Sequence, residues 1–195
     1  ERTADEYRSL LESNVDEYER LSRLIESTLF LARADNAQLA LKPEPMNVRT
    51  TLEKVAEYFS GVAEDAGVTL AVTGEATLSA DPTLVERAVS NLVSNGIRHT
   101  KPGATLPIAA TERDGSVTID VENFGETIPA EHLDRVFDRY FRGDSSRSEG
   151  AGSAGLGLAI VRAIMNLHDG RALVSSQGGR TRFSLIFPGS GARVG

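Results

Sequence analysis

The chain of 195 residues contains no cysteine. That excludes a disulfide framework and any thiolate metal site, and it suits a reducing compartment. No apolar run is long enough to span a bilayer. Positive charge is scarce, with 21 Lys and Arg against 28 Asp and Glu and a net charge of -7. No basic stripe opposes nucleic-acid phosphates, so a nucleic-acid partner is not expected, although a local basic site is compatible with this balance. Histidine is rare, at three residues: His99, His132 and His168. The chain opens at Glu1 rather than Met and is therefore expected to be a piece of something longer. What is present is a hydrophobic content of 40%, enough for a packed core, in a length that fits one ordinary domain plus an appendage.

The appendage is N-terminal. From about Thr3 to Ala34, Leu10, Leu11, Val15, Tyr18, Leu21, Leu24, Ile25, Thr28 and Leu31 recur at three- and four-residue steps, uninterrupted by Gly or Pro. The spacing predicts one long helix whose apolar stripe needs a partner, because a lone helix gains little from propensity. Packing on its own domain is one solution; a seam with another helix or chain is favoured, since a linker follows. Asp35-Asn36 reads as a helix stop, and Pro43 and Pro45 as barriers to regular structure up to Pro45.

The second unit alternates helix and strand. Asn47 caps a helix from about Arg49 to Asp65, closed by Gly67. Val68 to Val72 and Thr77 to Ala80 read as strands. Asp81 caps and Pro82 opens the next helix. Strands near Thr105 to Arg113 and Ser116 to Asn123 are joined by an Asp114-Gly115 turn. Gly143 to Gly152 lacks apolar anchors and reads as a mobile loop. Gly155 to His168 is helical, ended by Gly170, and Ala172 to Ser176 with Arg182 to Phe187 form a hairpin around Gly178-Gly179. This order predicts an α/β two-layer sandwich.

Four segments carry chemistry. In the run from Asn91 to Thr100, Asn91, Asn95 and Arg98 fall at i, i+4 and i+7, on one helix face. Ala88, Val89, Leu92, Val93 and Gly96 turn the other way, toward a core. Two amides and a guanidinium on one stripe suit a hydrated metal ion and phosphate oxygens, although a solvated polar face has the same pattern. In Asp120 to Pro129, a strand ends at Asn123 and Gly125 permits close backbone approach to a flat ligand. An Asn123 carbonyl can accept a proton from an exocyclic amine; a plain strand-to-helix turn also explains the segment. In Arg135 to Arg142, Phe137, Tyr140 and Phe141 read as core, whereas Arg139 and Arg142 are suited to bidentate phosphate binding. In Gly150 to Val161, glycine-rich chain runs into a helix N-terminus at Gly155, an anion-binding arrangement. It is not a P-loop, since no Gly-Lys-Ser/Thr follows.

The order of these segments resembles the catalytic, ATP-binding domain of two-component sensor histidine kinases. That domain shares its Bergerat-type ATP fold with DNA gyrase, the Hsp90 chaperone and MutL. The resemblance covers about Asn47 to Pro188, with the four segments similar to the family's N, G1, F and G2 boxes in turn. Phe-Leu-Ala-Arg-Ala-Asp-Asn, ending at Asn36, is similar to the heavy-metal (copper and silver) sensor branch. The resemblance implies a mixed sheet with helices on one face, preceded by one long helix left from a dimerisation hairpin. It divides the chain into that helix (1–36), a linker (37–46), the catalytic domain (47–188) and a flexible tail (189–195).

It also implies ATP and Mg²⁺ as ligands. Asn95 would ligate the metal, with Asn91 close by; Arg98 would sit on the phosphates and His99 near the nucleotide. Asn123 stands in the place of the Asp that reads the adenine amine, with Gly125 and Ile128 lining the base pocket. Arg142 and Arg139 would reach the γ-phosphate, Gly155, Leu156 and Gly157 would bring backbone to the phosphates, and Thr181 would support the adenine site. This chain departs from the pattern at Asn123, which carries no charge, and at Thr127, Ser153 and Arg180, where glycines are common. Gly96 replaces a usual Ala, at about 0.5–1 kcal/mol to the helix.

No histidine stands in the family's phosphoacceptor context, a His-Glu/Asp-Leu-Arg run on the first hairpin helix. His168-Asp169 precedes the Gly170 stop and reads as structural. No catalytic residue is therefore assigned, and the chain is expected to bind Mg-ATP without autophosphorylating. The resemblance implies a response regulator and a dimerisation hairpin, of the same or a second protomer, as partners. It also implies a cytoplasmic location, with membrane attachment only through N-terminal segments outside this chain. The rivals are an ATPase or a protein-serine kinase of the same fold, and an interaction module that binds no nucleotide.

Overall fold

The computed structural model describes residues 3–36, 38–143 and 154–189. The expected mobile loop and the last six residues of the expected tail fall almost entirely outside these. Helix α1 (Ala4–Asp35) stops where expected: the Asn36 side-chain amide donates to the Ala32 carbonyl at 2.7 Å, beside the Asn36 backbone N–H at 3.3 Å. The last turns of α1 are anchored. Phe30 and Leu31 are buried, and the Arg87 guanidinium lies 4.2 Å from the centre of the Phe30 ring. Leu11, Val15, Tyr18, Ile25 and Leu29 remain exposed along the rest.

The segment read as linker contributes a strand. β1 (Glu44–Asn47) pairs antiparallel with β3 (Thr77–Ala80), with Pro45 opposite Ser79. In a sheet of two strands each strand is an edge, where proline is tolerated; the expectation that Pro45 bars regular structure is corrected. Asn47 caps the next helix, its Oδ1 accepting from Thr50 N at 3.2 Å. The single helix expected to Asp65 is two, α2 (Val48–Tyr58) and α3 (Ser60–Asp65). The Ser60 hydroxyl donates back to the Glu57 carbonyl at 2.7 Å, the kind of local bond that bends a helix. Gly67, at φ +67°, closes α3.

The main sheet has five strands. β2 (Thr69–Gly74) pairs parallel with β4 (Thr105–Arg113), which pairs antiparallel with β5 (Ser116–Phe124). β7 (Arg180–Phe187) lies beside β5, and β6 (Arg171–Gln177) closes the edge. The order is β2-β4-β5-β7-β6. Both hairpin turns have the positive φ pairs that match strand twist: Asp114 and Gly115 at 51° and 75°, Gly178 and Gly179 at 60° and 79°. One face is apolar, with Val117, Ile119, Val121, Phe183, Leu185 and Phe187 buried under the helices. The covering layer is α2, α4 (Pro82–His99) and α6 (Gly157–Leu167), with a short α5 (Ala130–Leu133) at the end of β5. This is the expected two-layer α/β sandwich.

His168 is structural, as expected. Its ring is buried against Phe187; Nδ1 lies 2.8 Å from the Ile164 carbonyl and Nε2 accepts from Asp81 N at 3.1 Å. The Asp81 carboxylate in turn accepts from Thr83 N and Leu84 N, so one histidine ties the end of α6 to the capped start of α4. The C-terminal turn of α6 is completed by Asp169 at φ 53°.

Candidate functional site

Helix α4 builds the site from a firm back. Ala88, Val89, Leu92 and Val93 are fully buried. Gly96 lies so close to the sheet that a Cβ there would sit 2.5 Å from Leu106 Cδ1. The glycine that weakens the helix thus lets it approach β4. On the opposite stripe Asn91 and Asn95 are half-buried and Arg98 is exposed.

Asn91 is oriented by its own helix: Nδ2 donates to the Arg87 carbonyl at 2.9 Å. Its Oδ1 then faces the start of α6, 3.1 Å from where a Gly157 Cβ would stand. Residues 66 positions apart thus meet, and no larger side chain fits at Gly157 without moving the amide. Among the described residues no side chain caps the first turn of α6, whose N-cap is Leu156, so its backbone N–H groups point out beside Asn91. Asn91, Arg98, Leu156 and Gly157 share the walls of one cleft of about 920 Å³ beneath the middle of α1. Leu156 itself is buried, so only its backbone is available there. Asn95, one turn along α4, is not among the walls of that cleft.

The second half of the site lies at the other end of α4. Asn123 is buried, and its Nδ2 donates to the His99 carbonyl at 3.3 Å. A carboxylate in that place has no proton to give this carbonyl. Directly across the ladder is Thr181, also buried. The Ser176 hydroxyl bridges the Thr181 hydroxyl, 2.7 Å away, and Ile128 N, at 2.8 Å. Asn123, Ile128 and Thr181 are thereby drawn together. Gly125 has a further reason to be glycine: a Cβ would lie 2.0 Å from the His99 carbonyl oxygen. The close approach at Gly125 is to the end of α4.

Of the departures from the family's pattern, Ser153 lies outside the described residues and the others have partners. The Thr127 hydroxyl accepts from Gly179 N at 2.8 Å, and Gly125 N donates to the Gly179 carbonyl at 2.8 Å, so the turn after β5 is laced twice to the β6–β7 turn. Arg180 pairs with Glu122 at 2.7 Å and Arg182 with the same carboxylate at 2.9 Å. Burial pushes the Glu122 carboxyl up, but the two guanidinium groups outweigh it and hold the group below its ordinary value. Neither Ser176 nor Glu122 was marked by the sequence; cross-strand register with Thr181 and Arg182 is the signal that finds them.

The Phe/Arg segment is split. Phe137 is buried and Phe141 packs partly against the core, but Tyr140 is exposed, contrary to its reading as core. The reason is backbone: Tyr140 stands at φ 62° and donates its N–H to the Gly155 carbonyl at 2.9 Å, which turns the ring outward. Arg142 is half-buried at the edge of the described segment. Arg139 is not brought to the cleft of Asn91 and Arg98. Its Nη2 donates to the Asp35 carboxylate at 2.5 Å, in a separate groove between α1 and α6.

A metal ion is compatible with these donors in one way. Among the described residues no group of three or more His, Cys, Asp and Glu is placed to hold one. The amide oxygens of α4 are hard, neutral donors, which suit a magnesium ion that keeps its waters and arrives with a phosphate chain. The family model for the histidine kinase-, DNA gyrase B- and HSP90-like ATPases matches residues 80–191. The chain belongs to this ATPase family. Members similar to it include the sensor protein CzcS of Cupriavidus metallidurans, 45% identical over 195 residues, 100% of this chain and 41% of CzcS. The chain thus spans about two fifths of that relative. Among solved structures, the Acinetobacter baumannii histidine kinase AdeS matches with TM-score 0.80 and 25% identity, over 97% of this chain and 87% of that one. Full-length ShkA, in complex with AMPPNP, matches with TM-score 0.84 and 26% identity, over 97% and 40%.

Proposed function

We propose that this chain is the nucleotide-binding catalytic part of a sensor histidine kinase, of the heavy-metal branch, that binds Mg-ATP between α4 and the start of α6. The reading rests most on Asn91 Oδ1 facing Gly157: an amide helix and a glycine-opened helix start converge on one cleft. Asn95 and Asn91 would hold the magnesium ion, which would supply positive charge against the phosphates. Arg98, Arg142 and the backbone of Gly155, Leu156 and Gly157 hold the triphosphate, and His99 lies near the nucleotide. Asn123, Gly125, Ile128 and Thr181 take the adenine, with Ser176 orienting Thr181. In the intact protein the γ-phosphoryl passes to a histidine that this chain lacks, and onward to a response regulator. The dimerisation hairpin of the same or a second protomer supplies that histidine, and membrane attachment belongs to preceding segments. No helix among the described residues is long and apolar enough to cross a membrane.

Positioning and charge neutralisation are the whole of the protein's contribution to such a transfer. Hydrolysis needs more, a base for water. Asn91 holds the position where ATPases of this fold carry a glutamate, and an amide cannot take a proton. Calorimetric titration with ADP and Mg²⁺ tests the reading: wild type binds, and Asn95→Ala weakens binding at least about tenfold, in line with the loss of one metal ligand. No heat at millimolar nucleotide would leave the interaction-module reading standing. Incubation with γ-labelled ATP should put no stable label on the chain; a labelled chain overturns the missing-acceptor reading.

A further inference from the structure

Asp35 is an odd residue for its place. It is the last residue of α1, where the helix dipole presents its negative end and a carboxylate is disfavoured. What it holds is Arg139, at 2.5 Å, with side chains 52% and 43% exposed. Arg139 is joined to the nucleotide cleft through a short run of contacts. The next residue, Tyr140, sits at a left-handed φ of 62° that side chains rarely adopt, and its N–H is bonded to the Gly155 carbonyl. Gly155, at φ 68°, is pressed so close that a Cβ would lie 2.8 Å from the Phe141 carbonyl oxygen. Two residues on, Gly157 abuts Asn91 Oδ1. The end of α1, the Phe/Arg segment, the α6 start and the amide helix therefore form one continuous contact path.

We propose that Asp35 is a positioning residue for Arg139: it holds the guanidinium on the α1 side and so withholds it from the terminal phosphate of a nucleoside triphosphate in the cleft. The proposal rests on the nucleotide reading above. One guanidinium fork pairs with a carboxylate or a phosphate, not with both at full geometry. Docking of the α1 end and capture of a third phosphate thus compete for the same cation. By linkage, whatever moves the end of α1 away from Arg139 raises the preference for triphosphate over diphosphate, and triphosphate loosens the end of α1 by the same factor. The pair is on the surface, which limits the effect to about five-fold.

The test is calorimetric titration of the whole chain with ADP and with a non-hydrolysable ATP analogue, both with Mg²⁺, on wild type, Asp35→Asn, Arg139→Gln and the double variant. Asp35→Asn should tighten the triphosphate analogue two- to five-fold and leave ADP unchanged. Arg139→Gln should abolish that gain, so that the double variant matches Arg139→Gln alone. An Asp35→Asn variant with unchanged triphosphate affinity, or with equal shifts for both nucleotides, overturns the proposal. Amide hydrogen exchange over residues 28–35 without nucleotide separates this failure from a wider one. If the pair pins α1, both single variants lose protection there to the same extent; equal protection in all variants overturns the pin. Protection lost as expected in a chain that binds neither nucleotide overturns the nucleotide reading, and the competition with it.

Discussion

Glu122 shows how one carboxylate can be kept charged in a poor place for charge. It is only 6% exposed, on the strand that ends at Asn123, and Arg180 and Arg182 from the neighbouring strand both reach it. Its folded pKa lies below the ordinary value of 4.5. A depressed carboxylate stabilises the fold fully above its unfolded pKa. That stability is lost as pH falls below 4.5 and through the lower folded value. Glu122→Gln should therefore lower stability at pH 7 by about 1.5–3 kcal/mol, the worth of hydrogen bonds to charged groups, and flatten the acid limb of a denaturant-midpoint against pH curve. An unchanged acid limb would mean that other carboxylates carry it. Gly96 is a second residue where two effects oppose. Alanine adds about 0.5–1 kcal/mol of helix propensity. Its Cβ also meets a fully buried Leu106 methyl at 2.5 Å, an overpacking that costs about 1–3 kcal/mol. Overpacking outweighs the gain in propensity: Gly96→Ala should lower the thermal midpoint, and a rise would show that Leu106 gives way easily.

Among elements, α1 carries most of the large apolar side chains left exposed among the described residues. Its anchoring is concentrated at Phe30, Leu31 and the Asp35–Arg139 pair, while Tyr18 stays 73% exposed. Removing residues 1–16 should leave the thermal midpoint of the remainder within about 2 °C, by scanning calorimetry, since Leu10, Leu11 and Val15 are all exposed. The long helix was legible because its three- and four-residue repeat runs without a breaker, and α4 because Asp81-Pro82 announces its start. The strand at Glu44–Asn47 was not legible. Two prolines outweighed a short apolar pattern, and only the partner strand at Thr77–Ala80 makes an edge there. The site divides in the same way. Asn91 and Gly157 could be named from helical spacing and a glycine-rich helix start. The role of Arg139 could not, because its partner lies 104 positions away on another helix. Nor could Ser176, whose importance appears only once β6 and β7 are in register.

At the scale of the molecule, the mixed sheet sets two kinds of order. The antiparallel strands β4, β5, β7 and β6 form local hairpins, except for the long return from β5 to β7 that carries the Phe/Arg segment and α6. The parallel pairing of β2 with β4 needs the crossover through β3 and α4, and that crossover delivers the amide helix to the centre of the layer. The cleft is thus a product of topology: α4 arrives from one crossover, α6 from the other, and they lie side by side.

The strand at Glu44–Asn47 also shortens the rope. With β1 fastened to β3, only eight Cα steps separate Asn36 from Glu44, a reach of about 28 Å at full stretch. A body reoriented on that tether sweeps only a small volume around its own helix, the smaller because Lys42 N is already bonded to the Asp81 carboxylate.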